Sequence, residues 1–230
     1  MSMHFSLIEP APGHERNAAY QRAAGPYQDH KWLWTFFPAE SGTARDYLFR
    51  RLDAEATSRF YVVSQRAPVI PDSSWRVRSR DYAPKVQAGD RLRFDLRANP
   101  VVTHDADGKR KRHDVVMQAK KDLLAERGLK AWNQWQGDGK PPLYQLVHQA
   151  CAAWLAARAT RSGFVIEEDS LSVDGYIQHR GKHKQIQFST VDFAGELTVT
   201  DPGLFGTALI TGIGHAKAFG CGLLLVRRLA

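Results

Sequence analysis

Cysteine is scarce: Cys151 and Cys221 are the only two in 230 residues, far apart and in no CxxC pair. That excludes a disulfide scaffold and a cysteine-based zinc site, and it suits a reducing compartment. No run of roughly 18 apolar residues occurs, which excludes a membrane-spanning helix. The N-terminal segment turns polar too quickly for a signal peptide. Acid is missing from long stretches. Residues 175–191 contain no Asp or Glu while carrying His179, Arg180, Lys182, His183 and Lys184. Everything after Asp201 is also acid-free, with Lys217, Arg227 and Arg228.

What is present is a basic, globular chain. Lys and Arg number 32 against 24 Asp and Glu, for a net charge of +8. A hydrophobic fraction of 43% supports a buried core and argues against a disordered basic tail. The length fits one large domain or two of about 100 residues. A third basic run stands at Lys109, Arg110, Lys111, Arg112 and His113. Any one such run is explained by a solvated loop. Three in a small protein favour a surface for phosphates, since cations that neutralise phosphates release condensed counterions.

The pattern of the first half predicts a strand over 4–8, then a helix started by Pro26 and closed by Pro38. A helical piece over 43–49 follows, with strands over 59–65, 75–79 and 91–97. The second half predicts a strand at 101–103, a polar turn before the basic run, and a charged helix over 118–127. Next comes an irregular stretch over 132–142, then the clearest helix of the chain over 143–159. Strands at 164–166, from 177, at 184–188 and at 196–200 follow, with a short helix from Pro202 and a buried strand over 223–226. Both halves approximate β-α-β-β-(α)-β, the split βαβ or ferredoxin-like pattern. The second helix of the first half has no clear place; residues 84–88 could hold only a turn.

Two constellations stand out. Residues 212–222 contain Gly212, Gly214, Gly220 and Gly222 around Lys217. The run is neither a P-loop nor GxGxxG, and it precedes a strand where those motifs follow one. It can be a flexible turn, or a backbone that comes close to a phosphate chain. Tyr27 and His30 are three apart and share a helix face. A histidine titrating near neutrality can move protons and a phenol can donate to an oxygen, but such a pair equally serves packing. Other catalytic signatures are missing: His14-Glu15 is not HExxH, because Ala18 stands in the second histidine position, and no GxSxG elbow occurs.

The run Val191-Asp192-Phe193-Ala194-Gly195-Glu196-Leu197-Thr198-Val199, then Asp201-Pro202, then residues 212–224, resembles the end of the CasE family. These are the CRISPR RNA-processing endoribonucleases of the Cascade complex. Tyr27-Gln28-Asp29-His30, Leu33-Trp34-Thr35-Phe36-Phe37-Pro38, Ala44-Arg45-Asp46-Tyr47-Leu48-Phe49 and Phe94-Asp95-Leu96-Arg97-Ala98-Asn99-Pro100 resemble the same family, in its order along the chain. His215 departs from it, standing where the family often has Pro, and residues 105–143 match no motif.

The resemblance implies an α+β protein of two tandem ferredoxin-like domains, divided as 1–97 and 98–230, that binds a repeat hairpin of precursor CRISPR RNA. It implies cleavage at the 3′ base of the hairpin without metal or cofactor, leaving a cyclic phosphate. His30 matches the catalytic histidine and Tyr27 its partner. Lys31 could stabilise the charged phosphorane, although it points about 100° away from the Tyr27–His30 face. The hairpin bearing Arg180, Lys182 and Lys184 would grip the stem, and Gly212, Gly214, Lys217, Gly220 and Gly222 would hold backbone phosphates near the cut. Other Cascade subunits are the implied protein partners; a cytoplasmic location, a monomer outside the complex and no membrane contact complete the expectation. The competing readings are a non-catalytic RNA-binding subunit of the same fold and, more distantly, a protein-interaction scaffold whose basic face meets an acidic partner.

Overall fold

The computed structural model describes residues 2–21, 26–54, 57–106, 108–137, 139–180 and 187–229. Its first sheet runs β2-β3-β1-β4, formed by His4–Pro10 (β1), Tyr47–Ala54 (β2), Thr57–Ser64 (β3) and Trp75–Asp81 (β4), with antiparallel neighbours throughout. Two short helices, Glu15–Gln21 (α1) and Pro26–Leu33 (α2), connect β1 to β2. Pro26 opens α2 at the position where its missing N–H costs nothing. Leu33 and Phe36 then bury against Ile8, Phe60, Val62 and Trp75, so one face of the sheet is covered.

The second sheet runs β11-β5-β10-β8, from Arg91–Ala98 (β5), Phe164–Ile166 (β8), Gln187–Val199 (β10) and Leu224–Arg228 (β11). Ser172–Arg180 (β9) pairs with β10 as a long hairpin arm. Leu143–Arg161 (α4) and Pro202–Thr211 (α5) supply Trp154, Leu155, Phe205 and Leu209 to the core, against Leu96, Phe193 and Leu197. Asp201 caps α5 by accepting from the Gly203 and Leu204 amides. Both sheets follow the strand order of a ferredoxin-like unit. In the first, the link between β3 and β4, residues 65–74, holds no helix.

Two expectations need correction. The helix over 43–49 is a loop followed by β2. Tyr47 and Phe49 enter one core while Leu48 enters another, so apolar residues on both faces of the strand hide its period-two alternation. The strand at 91–97, placed above with the first half, pairs with β10 and β11 in the second sheet. By sheet membership the chain crosses over between β4 and β5. Strand identity is local, whereas sheet membership is decided by distant partners.

Between β5 and α4 the structure has an extra hairpin, Val101–Ala106 (β6) with Lys109–Asp114 (β7), and the helix Val115–Glu126 (α3). The basic run thus becomes a two-stranded ribbon outside both sheets. The two sheets are joined by Leu48, Val63 and Leu223. They are also joined by a charged cluster. Asp192 on β10 accepts from both Arg97 Nε at 2.8 Å and Arg97 Nη2 at 2.6 Å, and from Arg50 Nη1 of β2 at 2.6 Å. Among the described residues no helix is long and apolar enough to cross a membrane.

Candidate active site and nucleic-acid interface

His30 lies next to the residue that anchors its helix. Asp29 is buried and accepts from Arg51 Nη1 of β2 at 3.0 Å, so a charged hydrogen bond fixes α2 on the sheet edge and sets the direction of His30. The imidazole sits edge-on to Trp34, one turn later, with ring centroids 6.4 Å apart. Another ring neighbour is Phe219 of the glycine-rich loop, at 6.2 Å. Nδ1 is buried and has no hydrogen-bond partner among the described residues. Burial first, and the charge of Arg45 second, hold the His30 pKa below its ordinary value, so the ring is neutral at pH 7.

The glycine-rich loop closes this site from the second sheet's side. It contains a 3₁₀ turn, Lys217–Phe219, which packs on α2. Gly212, Gly214, Gly220 and Gly222 all have positive φ. A Cβ on Gly212 would stand 2.8 Å from Leu48 Cδ1, and one on Gly220 would stand 3.0 Å from Phe49 Cε2. At Gly214 the neighbour is Trp154, and at Gly222 it is the Ile213 carbonyl, 2.9 Å away. Close packing against β2, α4 and the loop itself is therefore a protein-internal reason for these glycines, separate from any approach of phosphate. Lys217 reaches back to donate to the Thr211 carbonyl at 2.7 Å. Burial, then Arg45, lower its pKa.

Aromatic rings continue from His30 into the second sheet. Phe219 stacks on Phe188 at 4.8 Å, and Phe188 stacks on His179 at 4.8 Å. Beyond them opens a cleft of about 590 Å³ lined by Arg112, His179, Arg180, Phe188, His215 and Phe219, among others. Burial and then Arg97 lower the His179 pKa; burial and then Arg112, Arg158 and Lys217 lower that of His215. The acid in this cleft is already engaged. Asp114 caps α3 through the Met117 amide at 2.9 Å, and it accepts from Tyr176 Oη and Ser189 Oγ. Three histidines and several arginines and lysines give this surface a positive field that favours an anion.

The sequence-predicted residues fare differently. His30 and the loop bearing Lys217 come together, and Arg180 ends β9 at the rim of the cleft. Tyr27 falls in α2, but its side chain lies outside the described residues, as do Lys182 and Lys184. Lys31 is exposed. The sequence reading missed Arg45, Phe188, Phe219 and the Arg50–Asp192–Arg97 cluster. Their legible signals were the acid-free context of Phe188 and Phe219 and the family motifs that include Arg45, Arg97, Asp192 and Phe219.

The sequence profile of the family described as CRISPR associated protein matches residues 3–228. CRISPR system Cascade subunit CasE of Escherichia coli (strain K12) is 30% identical over 201 residues, covering 86% of this chain and 89% of its own. The chain belongs to the CasE family of CRISPR-associated proteins. Another relative of this CasE-family chain is CRISPR-associated endoribonuclease Cse3 of Thermus thermophilus. It is 30% identical over 222 residues, 91% of this chain and 93% of its own. A solved structure of Cse3 bound to 19 nt RNA superposes with a TM-score of 0.68 at 25% identity, over 99% of this chain and 100% of that one. The CasE-family fold therefore extends over both sheets.

Proposed function

We propose that this protein is an endoribonuclease that cleaves CRISPR repeat hairpins in precursor RNA and supplies guide RNA to a Cascade complex. The observation that carries this reading is His30. It is a neutral imidazole, carried by α2 and packed on Phe219 of the glycine-rich loop, with Arg45 as the cation that acts on it. The chemistry is a transesterification that needs no co-reactant. The 2′-oxygen forms a bond to the adjacent phosphorus, its proton is removed, the bond to the 5′-oxygen breaks, and that oxygen is protonated as it leaves. The product is a 2′,3′-cyclic phosphate, and no metal takes part. His30 carries one of the two protons, and Tyr27 orients the 2′-hydroxyl. Lys217 and the loop amides hold the phosphate chain. The protein works in the cytoplasm, as a monomer until it joins the other subunits.

Incubating a labelled repeat hairpin with the protein in EDTA tests the reading. A shorter band with a cyclic phosphate end is expected. A shifted but uncut band would leave only an RNA-binding subunit, and an unshifted one would remove RNA altogether.

The stem is gripped by the basic hairpin. An A-form helix buries its base edges in a deep, narrow groove, so phosphate contacts from a thin basic element dominate. Neutralising Arg180, Lys182 and Lys184 together is expected to weaken hairpin binding and lower the slope of log K against log salt by about 2 to 3, at roughly 0.7–0.9 per contact. Cleavage at saturating protein should survive. Unchanged affinity and slope would hand the role to the ribbon of Arg110, Lys111 and Arg112.

A further inference from the structure

Arg45 stands in the loop before β2, across Trp34 and Tyr47 from His30. Its guanidinium carbon is 5.7 Å from the Tyr47 ring centroid; Tyr47 meets Trp34 edge-on at 5.5 Å, and Trp34 meets His30 at 6.4 Å. Arg45 Nη1 is buried and donates to nothing among the described residues. Among the described residues Arg45 has no ion pair, although the adjacent Asp46 leaves its buried Oδ1 without a hydrogen bond. Asp46 accepts from Arg66 Nε at 2.7 Å, and Asp29 accepts from Arg51. A guanidinium N–H withdrawn from water without an acceptor is costly, and an anion set against it would relieve that cost. The planar fork of arginine matches phosphate oxygens in geometry as well as charge.

We propose that Arg45 is a further catalytic cation of this site, seating the scissile phosphate beside His30 together with Lys217 and stabilising the charge that builds on it during cleavage. This rests on the nuclease reading above. The field agrees with the geometry, since Arg45 is the cation felt by both His30 and Lys217. A phosphate arriving among them would be desolvated on one side by Trp34 and Phe219 and met by donors already fixed in place, the arrangement that lowers the barrier most per contact.

The test compares Arg45→Gln and Arg45→Lys with wild type in single-turnover cleavage, hairpin binding and the pKa of His30 measured by NMR. Arg45→Gln is expected to slow cleavage by about 100-fold, with hairpin affinity within about threefold. Its His30 pKa should rise, because the cation that opposes protonation is gone. Arg45→Lys should recover part of the rate and keep the His30 pKa near that of wild type. A glutamine variant that cuts within about threefold of wild type, or one that loses rate while His30 titrates unchanged, overturns the proposal. Should the wild type bind the hairpin without cutting it, the nuclease reading fails, and inorganic phosphate then decides for Arg45. The seat predicts a His30 signal that moves with phosphate in wild type and stays fixed in Arg45→Gln; movement in both, or in neither, overturns it.

Discussion

His30→Ala is expected to abolish cleavage while leaving hairpin affinity largely intact. Proton transfer by a positioned side chain is made only in the transition state and is worth about 10²–10⁴-fold, whereas ground-state binding rests on the arginines and lysines of the cleft and hairpin. The alanine also removes a ring that packs on Trp34 and Phe219, so the melting temperature belongs in the comparison. A mutant that cuts near the wild-type rate would place the chemistry elsewhere. The direction of the His30 pKa then separates its two roles. The free protein holds the neutral form at pH 7, and a bound phosphate pushes the pKa back up by favouring the imidazolium. As a base, His30 makes kcat/KM rise with pH through a value below 6.5, and kcat rise through a higher one. As an acid, it makes both fall across the same windows.

Asp192→Asn is expected to give the largest loss of stability. Arg50 is nearly buried, its side chain 5% exposed, and Asp192 is the carboxylate that pairs with it across the two sheets. Removing one member of a buried charged cluster strands the others. With Asp192 itself 30% exposed, the cost belongs at the lower end, about 2–4 kcal/mol, or roughly 5–15 °C in melting temperature. Burial alone would raise the Asp192 carboxyl, but hydrogen bonds and charges from Arg97 and Arg50 reverse that and leave it below the ordinary value. A depressed carboxyl contributes stability above the unfolded pKa of about 3.9 and loses it as pH falls through the folded one. Wild type should lose stability in that acid window, and the asparagine variant should not lose this part. Equal melting temperatures at pH 7 would show that the apolar contacts of Leu48, Val63 and Leu223 hold the sheets together unaided.

Much of this protein could be read from local sequence. Pro26 and Pro38 bracketed α2 and the turn after it, helical spacing gave α4, Asp201-Pro202 opened α5, and the acid-free runs pointed to a polyanion. Each of those signals acts within a few residues, where chain stereochemistry and charge are decided. The motifs around His30 and the glycine-rich loop carried the family, since their order and composition survive without any knowledge of contacts.

What the sequence could not decide depends on partners far along the chain. Strand β2 read as a helix because both of its faces are buried, one by its own core and one by the neighbouring sheet. Strand β5 read as the end of the first half because nothing in residues 91–97 announces that β10 and β11 flank it. The loop glycines read as room for a phosphate, and the tertiary structure gave them neighbours in Leu48, Phe49 and Trp154. Arg45 read only as part of a family motif. Only folding takes its Nη1 out of water and sets it across Trp34 and Tyr47 from His30. By itself the sequence determined the elements, the charge and the family; the tertiary structure decided which cations are buried and which are paired, because burial and pairing are properties of the assembled sheets and not of any segment.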